Sequence, residues 1–227
     1  MTYKSFFVVA ALGTTLLLPV VNAEAAPITW EFFGGGNDGL LGHSQTYVSG
    51  GHSVTAEAFT GGNAFTNALL FGKNTGPDDE GLGVCLSVQD CNGGLATSEL
   101  YRGDTVRLNL GTLPSTLTGW SAIMSSVEDD EQFAIWTSDS STIDFSNASQ
   151  RICTGGPSAG PCALVPKQYL FFTTFGDSEN PGVLVHSVSA QSIANPEPAT
   201  LLLMGSGLLG LASWRFRMNR KATHRDV

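Results

Sequence analysis

Residues 105–110 have the sequence Thr-Val-Arg-Leu-Asn-Leu, in which polar and apolar side chains alternate without interruption. Successive side chains of a β-strand point to opposite faces of the sheet, so Val106, Leu108 and Leu110 would face a core while the three residues between them face away. The pattern predicts a strand in an antiparallel sheet that has one buried and one solvated face.

Similar short runs, rich in β-branched and aromatic residues, recur between clusters of Gly, Asn, Asp and Pro. None of them is followed by the amphipathic helix that a βαβ unit needs. We therefore predict an all-β domain over residues 26–194, an antiparallel β-sandwich of jelly-roll-like form. The predicted strands are Ile28–Phe33, His52–Thr60, Ala68–Phe71, Gly83–Val88, Thr105–Leu110, Gly119–Val127, Gln132–Thr137, Tyr169–Phe175 and Val183–Ile193.

The first 25 residues have the features of a secretory signal peptide. Lys4 precedes an uncharged apolar stretch from Phe6 to Leu18. Two triplets that follow, one ending at Ala23 and one at Ala25, have small residues at the positions that a signal peptidase requires. We predict that residues 1–25 form a signal helix, which signal peptidase removes after Ala23 or Ala25. The β domain that follows the signal peptide would then function outside the cytosol.

Export would place all the cysteines in an oxidising compartment. Four cysteines allow three pairings, and the short spacings favour two local bridges, each closing a Gly-rich loop. In the loop-entropy model each bridge would stabilise the fold by roughly 2–3 kcal/mol. A zinc site is less favoured because neither spacing is that of a metal knuckle. The cysteines are Cys85, Cys91, Cys153 and Cys162.

The chain ends, over residues 195–227, in an apolar span followed by a basic cluster. Residues 199–214 carry no charge and would extend about 24 Å as a helix, slightly less than a bilayer core of about 30 Å. Basic side chains that snorkel towards the head groups would make up the difference. We predict a single transmembrane helix at about 199–214, with its basic end held in the cytoplasm. The cluster contains Arg215, Arg217, Arg220 and Lys221.

Pro196-Glu197-Pro198, the apolar span and the basic cluster follow one another in a fixed order at the chain end. In that order they resemble the PEP-CTERM sorting signal of Gram-negative bacteria, a tail also catalogued on some ice-binding proteins. The resemblance implies that an exosortase, a membrane-embedded cysteine protease, recognises Pro196-Glu197-Pro198 and removes the apolar tail. It implies an inner-membrane-anchored precursor, and then a protein of the cell surface, outer envelope or extracellular matrix. Gly81–Val84 followed by Glu99-Leu100 resembles a pattern in the exported domains of such proteins, one that carries no known activity.

The exported part of the chain is strongly acidic. Residues 24–195 carry 18 acidic and 5 basic side chains, a net charge of −13, whereas residues 196–227 have a net charge of +3. An acidic domain repels phosphate backbones, so nucleic acid is not an expected partner. Two acidic loops could supply oxygen ligands to Ca²⁺, or they could serve only to keep the domain soluble. The first contains Asp78, Asp79 and Glu80, and the second contains Glu128, Asp129, Asp130 and Glu131.

The exported domain contains no G-x-S-x-G, H-E-x-x-H or Walker sequence. We therefore expect a protein that is not an enzyme and that associates with exopolysaccharide or biofilm at the cell surface or in the matrix. One alternative is a carbohydrate-binding or Ca²⁺-stabilised lectin-like module, in which Trp30, Trp120 and Trp136 would stack on sugars. A second alternative is a secreted polysaccharide hydrolase, whose paired carboxylates the sequence does not locate.

Overall fold

The computed structural model describes residues 26–76, 78–92, 99–112, 116–157, 159–175, 182–193 and 204–211. Ala25–Asn195 forms one unit, and the helix at 204–211 belongs to a separate part of the chain. The predicted signal peptide, residues 1–25, lies outside the described residues.

The unit is mostly β, with two antiparallel sheets of seven strands each among the described residues. The strands are β1 (Pro27–Glu31), β2 (Gly39–Gly42), β3 (Ser44–Ser49), β4 (His52–Thr60), β5 (Thr66–Asn67), β6 (Leu69–Asn74), β7 (Glu80–Cys85), β8 (Thr105–Asn109), β9 (Leu117–Ser125), β10 (Gln132–Ser138), β11 (Arg151–Gly155), β12 (Cys162–Ala163), β13 (Tyr169–Phe175) and β14 (Leu184–Ser192). One short α-helix, α1 (Val88–Asn92), follows β7.

Neighbouring strands in each sheet are mostly distant in sequence. The first sheet has the order β12-β9-β14-β7-β6-β2, and β1 also pairs with β14. The second has the order β11-β10-β13-β8-β4-β3, and β5 also pairs with β4. The chain therefore passes between the sheets repeatedly, from β7 to β8, to β9 and to β10.

The main hydrophobic core lies between the two sheets, because buried side chains from both belong to one cluster. The first sheet contributes Leu70, Leu82 and Val185, and the second contributes Val106 and Phe172, all with at most 1 % of their surface exposed. Strand β8 has the predicted alternation, since Val106 and Leu108 are buried in this core while Arg107 lies on the opposite face.

The second sheet is buried on both faces in its middle, so the prediction of one solvated face is wrong for β10 and β13. Phe133 and Ile135 face the main core, whereas Ala134 and Trp136 pack on the other side against Phe171. That outer cluster is covered by the segment 139–150, whose Ile143 and Phe145 contribute apolar side chains to it. A polar connection thus shields apolar rings that would otherwise face water.

The structure pairs Cys85 with Cys91 and Cys153 with Cys162, the local pairing that the spacings favour. Their Cα atoms are 5.5 Å and 6.1 Å apart, within the range that a disulfide spans. The first bridge ties the end of β7 to α1. The second joins β11 to β12 and therefore connects an edge of the second sheet to an edge of the first.

All nine predicted strands are present, with ends that differ by a few residues. At Val88 the type of element also differs, because this residue begins α1 and does not end a strand. Five short strands were not predicted: β2, β3, β5, β11 and β12. Most of them lie at sheet edges, where one neighbour is missing and the alternation of side chains is weak.

Candidate functional site

A buried lysine flanked by two carboxylates forms a charged cluster in the described domain. The Lys73 Nζ lies 2.8 Å from Asp79 Oδ1 and 2.5 Å from Glu99 Oε1, and the lysine side chain is 6 % exposed. The Ser126 hydroxyl lies 3.1 Å from Asp79 Oδ1 and 3.2 Å from Glu99 Oε1 and donates to this pair of carboxylates. One ammonium and one hydroxyl therefore orient both acidic groups, and the ammonium offsets one of their two negative charges.

Local backbone structure brings these side chains together. Lys73 lies near the end of β6, opposite Gly81 of β7 in the antiparallel register, so no side chain of β7 occupies the position across from it. A tight turn follows, in which the Asp79 N–H donates to Gly76 O at 2.8 Å. Ser126 has a positive φ of 57°, and its N–H donates to Asp78 O at 2.9 Å. A positive φ is uncommon outside glycine, and such residues concentrate at functional sites.

Burial acts on all three charged groups, but with different outcomes. Burial by itself would lower the pKa of Lys73, yet the hydrogen bonds to Asp79 and Glu99 outweigh it and hold the pKa above its usual value. Burial raises the pKa of Glu99 despite the nearby ammonium. Burial also acts on Asp79, but hydrogen bonds from Lys73 and Thr75 outweigh it and lower the pKa. The difference follows from exposure, since the Glu99 side chain is 13 % exposed and that of Asp79 is 34 % exposed.

A cleft of about 810 Å³ opens beside this cluster. Both predicted acidic loops reach it, because Asp78 and Asp79 line one side while Glu128 lines the cleft together with Ser126. Sequence reasoning had placed these acids in two separate loops, and the structure brings three of them to one place.

The remaining predicted acids do not line the cleft. The Glu80 main-chain oxygen accepts a hydrogen bond from the Ser125 hydroxyl, and Asp129 and Asp130 are exposed in a turn. Glu131 is 4 % exposed, and its carboxylate accepts hydrogen bonds from the N–H groups of Glu128, at 2.7 Å, and of Gly182. Its role in the described structure is to fix the turn before β10.

In the part of the chain that the structure describes, no three side chains of His, Cys, Asp or Glu are grouped closely enough to hold a metal ion. Between Asp79 and Glu99 the lysine ammonium supplies the positive charge. The Ca²⁺ hypothesis stays a prediction, with Asp78, Asp79 and Glu128 as the acids that share a cleft.

Sequence reasoning missed Lys73, Glu99 and Ser126 as members of this site. One signal was available for Lys73, since it is one of only five basic residues between positions 24 and 195 and ends an apolar run. Glu99 belongs to the short pattern noted above, but the pattern did not indicate a partner for it.

The tryptophans do not form a shared platform for sugars. Trp30 and Trp120 stack on each other inside the main core, with ring centroids 5.6 Å apart and exposures of 2 % and 6 %. Trp136 belongs to the separate cluster on the outer face of the second sheet. The hypothesis that all three rings bind one glycan is therefore wrong, because two of them are needed for packing.

The tail is described only in its centre. Residues 204–211, inside the predicted transmembrane span 199–214, form a helix, α2, on which Met204, Leu208, Leu209 and Leu211 are exposed. Among the described residues, no helix has the length and apolar character required to cross a bilayer. Pro196, Glu197 and Pro198 lie outside the described residues, as do Arg215, Arg217, Arg220 and Lys221.

The chain joins a mostly β domain with two disulfides to an apolar tail that has a basic end. The family model described as the PEP-CTERM protein-sorting motif matches residues 196–218. The chain therefore carries this motif and is a protein that is exported and sorted by an exosortase to the cell surface or envelope. No curated protein matches the chain, and no solved structure matches it.

Proposed function

We propose that this chain is a non-enzymatic protein of the cell surface or extracellular matrix of a Gram-negative bacterium, where it associates with exopolysaccharide or biofilm. The observation that carries the proposal is the sorting motif at residues 196–218. Signal peptidase removes residues 1–25, and the span 199–214 anchors the precursor in the inner membrane. Exosortase then recognises Pro196-Glu197-Pro198 and releases the domain from that anchor.

Features of the β domain support a scaffold that persists outside the cell. Both disulfides close local loops, and no described cysteine is free. The buried charges of Lys73 and Glu99 are paired with each other, which leaves them engaged in holding the fold. We also infer a jelly-roll-like winding, since the first strand β1 pairs with the last strand β14 and the chain alternates between the sheets.

The sorting step is tested in cells that contain an exosortase, beside matched cells that lack it. We expect the unmodified chain to appear outside the inner membrane without its tail only when exosortase is present. Glu197→Gln should remain in the inner-membrane fraction with its tail intact, because the recognised carboxylate is lost. Asp226→Asn removes the same charge outside the matched residues and should be processed normally. Mass spectrometry of the C-terminus distinguishes the forms.

Equal processing of Glu197→Gln and the unmodified chain would contradict recognition of the motif. Tail removal in the cells without exosortase would contradict the sorting enzyme itself.

A Ca²⁺-stabilised lectin-like module is the second candidate, supported by the convergence of Asp78, Asp79 and Glu128 on one cleft. Calorimetric titration of Ca²⁺ into the disulfide-bonded full chain should then show saturable binding. Asp78→Asn combined with Glu128→Gln should abolish it, whereas Asp129→Asn combined with Asp130→Asn, which removes the same charge outside the cleft, should retain it. Absence of saturable heat, or equal loss in both double variants, would exclude this candidate.

A further inference from the structure

A second cleft, of about 430 Å³, opens on the outer face of the second sheet. Its lining includes three aromatic residues, Trp136, Phe145 and Phe175, and two arginines, Arg102 and Arg151. The Arg151 guanidinium carbon lies 5.7 Å from the centre of the Trp136 ring, at a distance typical of a cation–π contact. Aromatic surface and positive charge therefore meet in one concavity.

The two arginines differ from the other basic residues of the exported domain. Residues 24–195 contain five such residues, and three of them form ion pairs: Lys73 with Asp79 and Glu99, Arg107 with Glu57, and Lys167 with Asp139. Arg102 and Arg151 are exposed and form no ion pair with any described residue. None of the described residues that line the cleft is acidic. In a domain with a net charge of −13, the described lining of this cleft therefore carries positive charge only.

The cleft is held in shape by contacts that do not involve the arginines. Asn63 accepts a hydrogen bond from the Phe145 N–H at 3.1 Å, and its amide donates to Asp144 Oδ1 at 3.3 Å. Phe145 packs edge-to-face on Trp136, with ring centroids 5.5 Å apart. The wall that Phe145 provides is therefore fixed before any ligand arrives, which lowers the entropic cost of binding.

Two buried polar atoms of the lining residues, Trp136 Nε1 and Thr174 Oγ1, have no hydrogen-bond partner among the described residues. The Trp136 side chain is 5 % exposed, and its indole Nε1 makes no hydrogen bond to any described residue. Buried indole N–H groups usually find an acceptor, and a donor left without one is unfavourable. Both atoms are fully buried, so a ligand in the cleft would contact the aromatic ring and not the indole N–H.

We propose that this cleft binds a carboxylated sugar ring, the uronic acid unit of an acidic polysaccharide. A guanidinium group matches a carboxylate through two parallel hydrogen bonds, and no described acidic residue forms an ion pair with Arg102 or Arg151. The rings of Phe145 and Phe175 would pack against the apolar face of the sugar. A small inorganic anion would use the arginines but not the rings. The proposal deepens the proposed function by naming the polysaccharide chemistry, and it rests on that function only for the presence of polysaccharide outside the cell.

Calorimetric titration of tri-galacturonic acid into the full chain, purified with its disulfides formed, tests the proposal independently of sorting. We expect saturable binding that weakens as salt is added, since charge pairing contributes to it. Arg151→Gln and Arg102→Gln should each weaken binding by about tenfold or more, the usual effect of losing a hydrogen bond to a charged group. Lys167→Gln removes one positive charge from outside the cleft and should change affinity by less than about twofold. Thermal unfolding of each variant confirms that the fold is retained.

Several outcomes would overturn the proposal. Absence of binding would do so, as would equal losses from Arg151→Gln and Lys167→Gln. Equal affinity for the methyl ester of the same trisaccharide would show that the carboxylate is not recognised, and equal affinity for inorganic phosphate would show that the sugar ring is not. Absence of binding would not contradict exosortase sorting, and absence of sorting would not contradict binding. The two proposals are therefore tested independently.

Discussion

Asp104 carries a buried carboxyl group one residue before β8, and its neutralisation tests the electrostatics of the fold directly. The residue is 5 % exposed, and its carboxylate accepts a hydrogen bond from the Tyr101 N–H at 3.2 Å. Among the described residues no Lys or Arg forms an ion pair with it. Burial raises the pKa of Asp104 from 3.8 to about 6, against the opposing effect of hydrogen bonds from Thr60 and Tyr101. We therefore expect Asp104→Asn to stabilise the protein near neutral pH.

The sign follows from comparing the folded and unfolded states. A carboxyl group whose pKa is higher in the folded state contributes stability that is complete below its unfolded pKa and is lost as the pH rises through its folded pKa. A shift from 3.8 to about 6 corresponds to about 3 kcal/mol of lost stability once the group is ionised in both states. Asparagine cannot ionise and retains an acceptor for the Tyr101 N–H. The variant should gain up to about 3 kcal/mol at about pH 7.5 and almost nothing at about pH 4.

Urea unfolding of the disulfide-bonded protein, followed by circular dichroism between about pH 4 and pH 8, measures this difference. Asp130→Asn is the matched control, since it makes the same substitution at an exposed turn position and should change stability by less than about 0.5 kcal/mol at every pH. A gain for Asp104→Asn that is the same at both ends of the pH range would refute the assigned role of burial. So would a loss of stability near neutral pH.

Two further predictions concern the buried cation and the bridge between sheets. Lys73→Met leaves the Glu99 carboxylate buried beside an uncharged side chain and should lower the free energy of unfolding, measured in urea, by about 3–5 kcal/mol. Adding Glu99→Gln should restore part of that stability. A loss below about 1 kcal/mol for Lys73→Met would contradict the ion pair. Cys153→Ser combined with Cys162→Ser releases a bridge with a sequence separation of 9 and should cost about 2.7 kcal/mol in the same assay. Unchanged stability of that double variant would show that the bridge does not constrain the unfolded chain.

The sequence predicted the central strands well because they carry strong local signals. Residues 105–110 alternate between polar and apolar side chains, and β8 occupies 105–109. The edge strands carry little of this signal. β12 has two residues and β11 pairs with one neighbour in its sheet, so their positions are determined by tertiary contacts and not by their own composition.

The candidate site was predicted in part for a similar reason. The acidic loops were visible as composition, and Asp79 does lie at the cleft. Lys73 and Glu99 are 26 residues apart in the chain, and Ser126 is another 27 residues beyond Glu99. These groups come together through tertiary contacts: β6 pairs with β7, and the Glu99 main-chain oxygen accepts a hydrogen bond from the Val84 N–H of β7. No local sequence pattern predicts these contacts.

The outer face of the second sheet shows how a polar segment can create an apolar site. Side chains in 139–150 form local hydrogen bonds, such as those from the Ser146 N–H to Asp144 Oδ1 at 2.9 Å and from the Ser149 N–H to Asn147 Oδ1 at 3.2 Å. These bonds satisfy the backbone of a connection that has no strand of its own. With its backbone satisfied in this way, the connection can hold Phe145 over Trp136. It thereby covers a sheet face that the alternation of polar and apolar residues would predict to be exposed to solvent. The wall of the aromatic cleft therefore depends on polar turn residues, and substitutions at Asp144 or Asn147 should disturb that cleft before they disturb the main core.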